Sequence, residues 1–134
     1  MSAIELLSIP DLLIDTENPR LPQPNVAQRD TLRALAEHQK SKLVALARHI
    51  VGNGINPTEL SIVMPINDDL RRYVVLEGNR RLAALRALEN PEWLVGALQP
   101  GEVEEMRRLG KEYQSNPIES IPCVVVVTRE EARP

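Results

Sequence analysis

The chain has no phenylalanine, one tryptophan and two tyrosines in 134 residues. Its core must therefore be aliphatic, and the aromatic platform on which single strands of nucleic acid stack their bases has nothing to be built from. One cysteine, Cys123, excludes an internal disulfide and fits a reducing compartment. Positive charge is also short, with 16 Lys and Arg against 19 Asp and Glu for a net charge of −3. A domain that grips the DNA backbone usually shows a basic excess, and the bulk charge here provides none. The longest apolar run, around Val124 to Val127, is far too short to span a bilayer. No signal-peptide pattern is visible. The expectation is a cytoplasmic protein with no membrane partner.

What is present suits a globular chain, 43% apolar and 26% charged. At this length one domain over residues 1–134 is the default. The polar tail REEARP stops just after a predicted strand, so the sequence reads as the N-terminal fragment of a longer protein. Ile4 to Ile9 reads as a first strand, with Asp11 to Ile14 as a short continuation or one helical turn. Residues 15–25 hold three prolines and read as an extended loop. Helical spacing runs from Val26 to Val51, through Leu32, Leu35 and Ala36 and then Leu43, Leu46, Ala47 and Ile50. The polar stretch Glu37 to Lys42 between these sets implies two helices or one kinked helix. Gly52-Asn53-Gly54 is a helix stop. Leu60–Ile66 and Arg72–Leu76 read as paired strands around a turn at Asn67 to Asp69. A helix over Asn79–Leu88 and helical structure over 92–116 follow, with Val103, Met106, Leu109 and Tyr113 on one face. Ile121 to Thr128 reads as a strand covered on both faces. The sum is an α+β fold, a small mixed sheet with flanking helices.

The stretch Val74 to Pro91, VVLEGNRRLAALRALENP, poses the chemical question. Glu77 and Gly78 end a strand, and Asn79, Arg80 and Arg81 open a helix where the macrodipole disfavours cations. A helix start offers backbone N–H groups without intrahelical partners, and a glycine at the junction lets an anion approach them. Forked guanidinium donors suit phosphate oxygens. Neighbouring helical residues point about 100° apart, so one arginine is expected to reach a ligand while the other braces a carboxylate or a second phosphate. The competing reading makes both arginines solvated and Gly78 merely a turn. Two further segments read, taken alone, as structural: Glu17-Asn18-Pro19-Arg20 as a proline-ordered connector, and Gly52 to Pro57 as a helix cap and turn. No Walker loop is present. His38 and His49 suggest no metal site, and no metal ligand is assigned.

Taken in order, Asn18-Pro19-Arg20, Gly54 to Pro57 and Gly78-Asn79-Arg80-Arg81-Leu82-Ala83-Ala84 resemble the ParB/sulfiredoxin superfamily, specifically the ParB-type N-terminal domain. The resemblance spans roughly residues 4–128, and its third box is the most specific. It implies a nucleotide pocket binding CTP or ATP with Mg2+. Arg80 and Arg81 would hold phosphates, Gly78 and Asn79 would line them, Arg20 would reach in from the loop holding Asn18, and Gly54 and Asn56 would border the base or ribose. The chain departs from that pattern in five ways. Asn79 stands where the family has Glu, the cysteine of sulfiredoxins is missing from the box, and the helical region 92–116 is longer than usual. Thr58 and Glu59 make the Gly54 to Pro57 turn slightly longer than the family norm, and nothing after Thr128 supplies the helical segment with a further nucleotide motif and the helix-turn-helix that follow in ParB proteins. Cys123, in a buried strand, is read as a small hydrophobe, so sulfinic acid reduction does not fit.

The first functional expectation is a triphosphate-dependent regulatory switch in a DNA-associated, bacterial-type protein of plasmid partition or phage defence. DNA would be contacted through regions outside this chain, and a second copy of the domain is a candidate partner. The alternative is a ParB-like enzyme, an NTPase, kinase or nuclease using the same pocket, for which Glu77 and Glu17 are the catalytic candidates. A scaffold that has kept the fold and lost the ligand is the third.

Overall fold

The computed structural model describes residues 3–15, 24–66 and 71–128. Among these residues five strands form one mixed sheet: β1 (Ala3–Ser8), β2 (Leu12–Ile14), β3 (Ser61–Pro65), β4 (Tyr73–Glu77) and β5 (Ser120–Val125). Their order across the sheet is β1-β5-β3-β4-β2. β1 runs antiparallel to β5 and β3 antiparallel to β4, whereas β5 with β3 and β2 with β4 are parallel. Among the described residues the helices are α1 (Pro24–Gln39), α2 (Ser41–Asn53), α3 (Asn79–Glu89) and α4 (Pro100–Ser115). This is the α+β arrangement expected from the pattern of apolar residues. Among the described residues no helix is long and apolar enough to cross a membrane.

One expectation is resolved and one needs correction. Of the two readings of Asp11 to Ile14, the short strand holds for Leu12–Ile14, which pairs with Tyr73–Val75, and the helical turn is displaced to a 3-10 turn over Ile9–Asp11. Three residues are too few to display a period, so only the partner strand separates the readings. β5 is not covered on both faces either. Ile121 and Cys123 are buried, but Pro122 and Val124 are half-buried and lie outside the core cluster, on the face they share with exposed Ile4 and Leu6. Its continuous apolar run reflects a central place between β1 and β3 rather than two covering layers. The expected turn at Asn67 to Asp69 lies outside the described residues.

The helical stretch is two helices, broken at Lys40, whose φ of 53° ends the first. α3 is the central helix. Leu82, Ala83, Ala84, Leu85, Ala87 and Leu88 are all buried, and α1, α2, α4 and β2 pack around it. A helix apolar on nearly all sides must be interior, and burying each leucine stabilises by about 2 kcal/mol. Its alanines let neighbours approach closely, and at Gly110 the backbone of α4 comes against the Leu88 carbonyl. α4 itself starts with a capping box, Gln99 N–H donating to Glu102 Oε1 at 3.1 Å, and buries the predicted face of Val103, Met106, Leu109 and Tyr113.

Strand β2 lies at the sheet edge, and a side chain closes that edge. Gln28 accepts from Ile14 N–H at 2.6 Å and donates to Ile14 C=O at 2.9 Å, taking the place of another strand. Arg86 of α3 donates to the carbonyls of Ile9 at 3.0 Å and Leu12 at 2.6 Å, so α3 also holds the turn between β1 and β2.

Cys123 is fully buried in β5, and burial pushes its thiol up to about 11. The unfolded thiol ionises near 9, so the unfolded state loses this proton first as pH rises. The group's contribution to stability is therefore complete below about pH 9 and is lost as pH climbs through about 11. Tyr113, whose phenol is raised by burial, acts in the same direction. Urea midpoints measured from pH 8 to 11 should fall across that window, and a Cys123→Ala variant should fall less. A thiol reagent at pH 8 should modify native Cys123 at the rate of global unfolding.

Candidate functional site

The site is built at the junction of β4 and α3. Opposite β3, the register passes from Val63↔Val75 to Ile62↔Glu77, leaving Leu76 as an extra residue on β4. Such a bulge re-aims the end of a strand. Gly78 follows at φ 109° and ψ 16°, and α3 begins at Asn79. The glycine is required twice over. That φ is one L residues rarely adopt, and a Cβ at this position would lie 2.7 Å from Ser61 Oγ.

The helix start carries no side-chain cap and no acidic residue in its first turn. Leu82 N–H bonds back to Gly78 C=O at 3.1 Å, which leaves the N–H groups ahead of it as the positive end of the α3 dipole. A cavity of about 430 Å³ opens there. It is lined by Leu76 to Arg81, by Lys42, Leu43 and Leu46 of α2, and by Gln39 and Glu59.

The two arginines divide their work as helical geometry requires. Arg81 is mostly buried and turns back onto the segment leading into β3. Its Nη1 donates to Glu59 C=O at 3.1 Å and to Ser61 Oγ at 3.2 Å, and its Nη2 meets Glu59 Oε2 at 3.1 Å. Arg80 is exposed at the cavity and has no partner among the described residues. Asn79, which stands where a carboxylate was expected by resemblance, is committed to the scaffold. Its Oδ1 accepts from Asp15 N–H at 2.9 Å and its Nδ2 donates to Val75 C=O at 2.9 Å. Asp15 is the last described residue before Glu17, Asn18 and Arg20, which lie outside the described residues. Asn79 thus anchors the end of β2 beside the helix start.

Gly54 and Asn56 do not line the cavity. Gly54, at φ 75°, closes α2 by donating to Ile50 C=O at 2.7 Å. Asn56 holds its own turn, accepting from Thr58 N–H at 3.0 Å and Thr58 Oγ1 at 2.8 Å. Glu77 lines the cavity and is exposed.

Lys42 lines the cavity although no motif in the sequence marks it. It sits in the polar stretch between two apolar helical patterns, where a lysine reads as a solvated linker. Only the break at Lys40 starts α2 in a place that turns Lys42, Leu43 and Leu46 toward α3. The result is a cavity with three cations, two carboxylates and an apolar wall of Leu43, Leu46 and Leu76. Among the described residues no group of three or more His, Cys, Asp or Glu is placed to hold a metal ion. The donor set suits an anion carrying an apolar body better than a bare cation. No family model, no curated protein and no solved structure matches the chain.

Proposed function

We propose that this domain binds a nucleoside triphosphate, CTP or ATP, at the Gly78–Arg81 turn and serves as a nucleotide-dependent switch within a larger DNA-associated protein of ParB type. One observation carries the reading: a single cavity joins an uncapped helix start, two cations without partners among the described residues, Arg80 and Lys42, and an aliphatic wall. A volume near 430 Å³ falls within the span of small-molecule sites.

The phosphates would take the first-turn N–H groups of α3, with Arg80 and Lys42 closing on them from α3 and α2. Leu43, Leu46 and Leu76 would take the apolar edges of ribose and base. Glu77, the exposed carboxylate of the lining, would be the group to face a magnesium ion carried by the phosphates, which would offset part of their charge. Asn79 supplies the switch. A ligand that orders the start of α3 bears through Asn79 on Asp15 and so on the segment that follows β2. Such a shift is limited by the ligand's differential affinity for the two arrangements. The domain's acidic balance agrees with DNA being held by other parts of the protein.

Calorimetric titration with CTP, ATP, GTP and UTP in magnesium tests the reading. Selective binding is expected, and Arg80→Ala and Lys42→Ala should each weaken it about ten-fold, as loss of one charge-assisted hydrogen bond implies. Unchanged affinity in both variants would refute it. Phosphate release measured on the same samples separates switch from enzyme: turnover abolished by Glu77→Gln would favour the enzyme.

A further inference from the structure

We infer that Glu59 is a built-in competitor for the phosphate site, a carboxylate occupying the Arg81 position that a ligand phosphate would take. The inference rests on the proposed phosphate reading and adds a means of regulating it. Arg81 is held by three acceptors of two kinds. Glu59 C=O and Ser61 Oγ, both on Nη1, belong to the backbone and to a side chain that is itself 1% exposed. The third, Glu59 Oε2 on Nη2, belongs to a side chain 59% exposed at the cavity wall.

The guanidinium is thus fixed on one nitrogen by the backbone and a buried hydroxyl and engaged on the other by an exposed carboxylate. A phosphate oxygen can displace the carboxylate from Nη2 while Nη1 keeps both of its bonds, so Arg81 need not travel. A forked guanidinium accepts carboxylate and phosphate in the same geometry. The displaced Glu59 side chain swings into solvent. Its backbone follows the turn closed by Asn56, because Glu59 N–H donates to Asn56 C=O at 3.0 Å. Occupancy of the cavity is thereby reported to the turn between α2 and β3, on the opposite flank from Asp15.

The competition is mild, since an ion pair whose carboxylate is largely exposed is worth about 1 kcal/mol, or roughly five-fold in affinity. Inorganic tripolyphosphate is the probe, titrated into the intact chain and into Glu59→Gln, Glu77→Gln and Arg80→Ala. Glu77→Gln removes an equal charge from the same cavity without touching Arg81. Glu59→Gln should bind about five-fold tighter than the parent and clearly tighter than Glu77→Gln. In the parent, binding should also shift the amide signals of Glu59 and Leu60. Equal gains in the two Gln variants would mean general charge repulsion, and no gain or a loss in Glu59→Gln would mean that Glu59 only braces Arg81. Either result overturns the inference while leaving the phosphate site standing, provided Arg80→Ala weakens binding. No binding by any of the four chains would overturn both.

Discussion

Replacing Gly78 by alanine should cost about 3 kcal/mol of stability, the sum of backbone strain and a steric clash. At φ 109° an L side chain is strained before any contact is counted. The added Cβ would then meet Ser61 Oγ at 2.7 Å and Ser61 Cβ at 3.2 Å. Ser61 cannot simply step aside, because it is buried at the start of β3 and its hydroxyl accepts from Arg81. Loss of this size is a large share of the roughly 5–15 kcal/mol that holds a domain together, and it should lower the melting temperature by about 10 °C. The double variant Gly78→Ala with Ser61→Ala should recover about 1 kcal/mol, since it removes the closest contact and leaves the strain. Thermal and urea unfolding of both variants check the pair. A Gly78→Ala protein as stable as the parent would mean that the β4–α3 turn is not built as described.

Gly110→Ala should lose about 2 kcal/mol, against the usual sign for such a change. In an exposed helix interior this substitution gains about 1 kcal/mol from helix propensity. Here the new methyl would lie 2.7 Å from the Leu88 carbonyl oxygen and 3.2 Å from Pro91 Cγ, where α4 crosses the end of α3. Backbone cannot rotate away as a side chain can, so the helices must separate. Gly101, in the first turn of the same helix, has open space where its Cβ would be. Gly101→Ala should therefore be neutral or slightly stabilising. Opposite signs in one helix, read by urea unfolding, test the packing of α3 against α4. Displacement of α3 would also move the turn that carries Arg80, so Gly110→Ala should weaken nucleotide binding from a distance.

Much of this architecture was legible where periodicity is strong. The face of α4 through Val103, Met106, Leu109 and Tyr113, the stop at Gly54 and the helix over Asn79–Leu88 follow from spacing and composition, and all are present. The split between Arg80 and Arg81 is legible too, because about 100° per residue keeps the two off one face. What escaped depends on contacts distant in sequence. Leu12–Ile14 is a strand only because Tyr73–Val75 lies beside it. Gln28 reads as an ordinary helical polar residue, yet it closes the sheet edge at Ile14. Lys42 faces the cavity because of a backbone break at Lys40, where no glycine or proline marks it. Asn79 stands at the helix start as the pattern predicts, but its amide is committed to Val75, four residues back, and to Asp15, 64 residues away in sequence.

The central claim is that the start of α3 holds phosphate. It is tested most directly by following the backbone amide signals of the chain as magnesium-bound CTP or ATP is added. The amides of Asn79, Arg80 and Arg81 should move first and furthest, with Lys42 and Asp15 following, and the changes should vanish in Arg80→Ala. Saturable shifts confined to other segments, or none at millimolar nucleotide, would contradict the account.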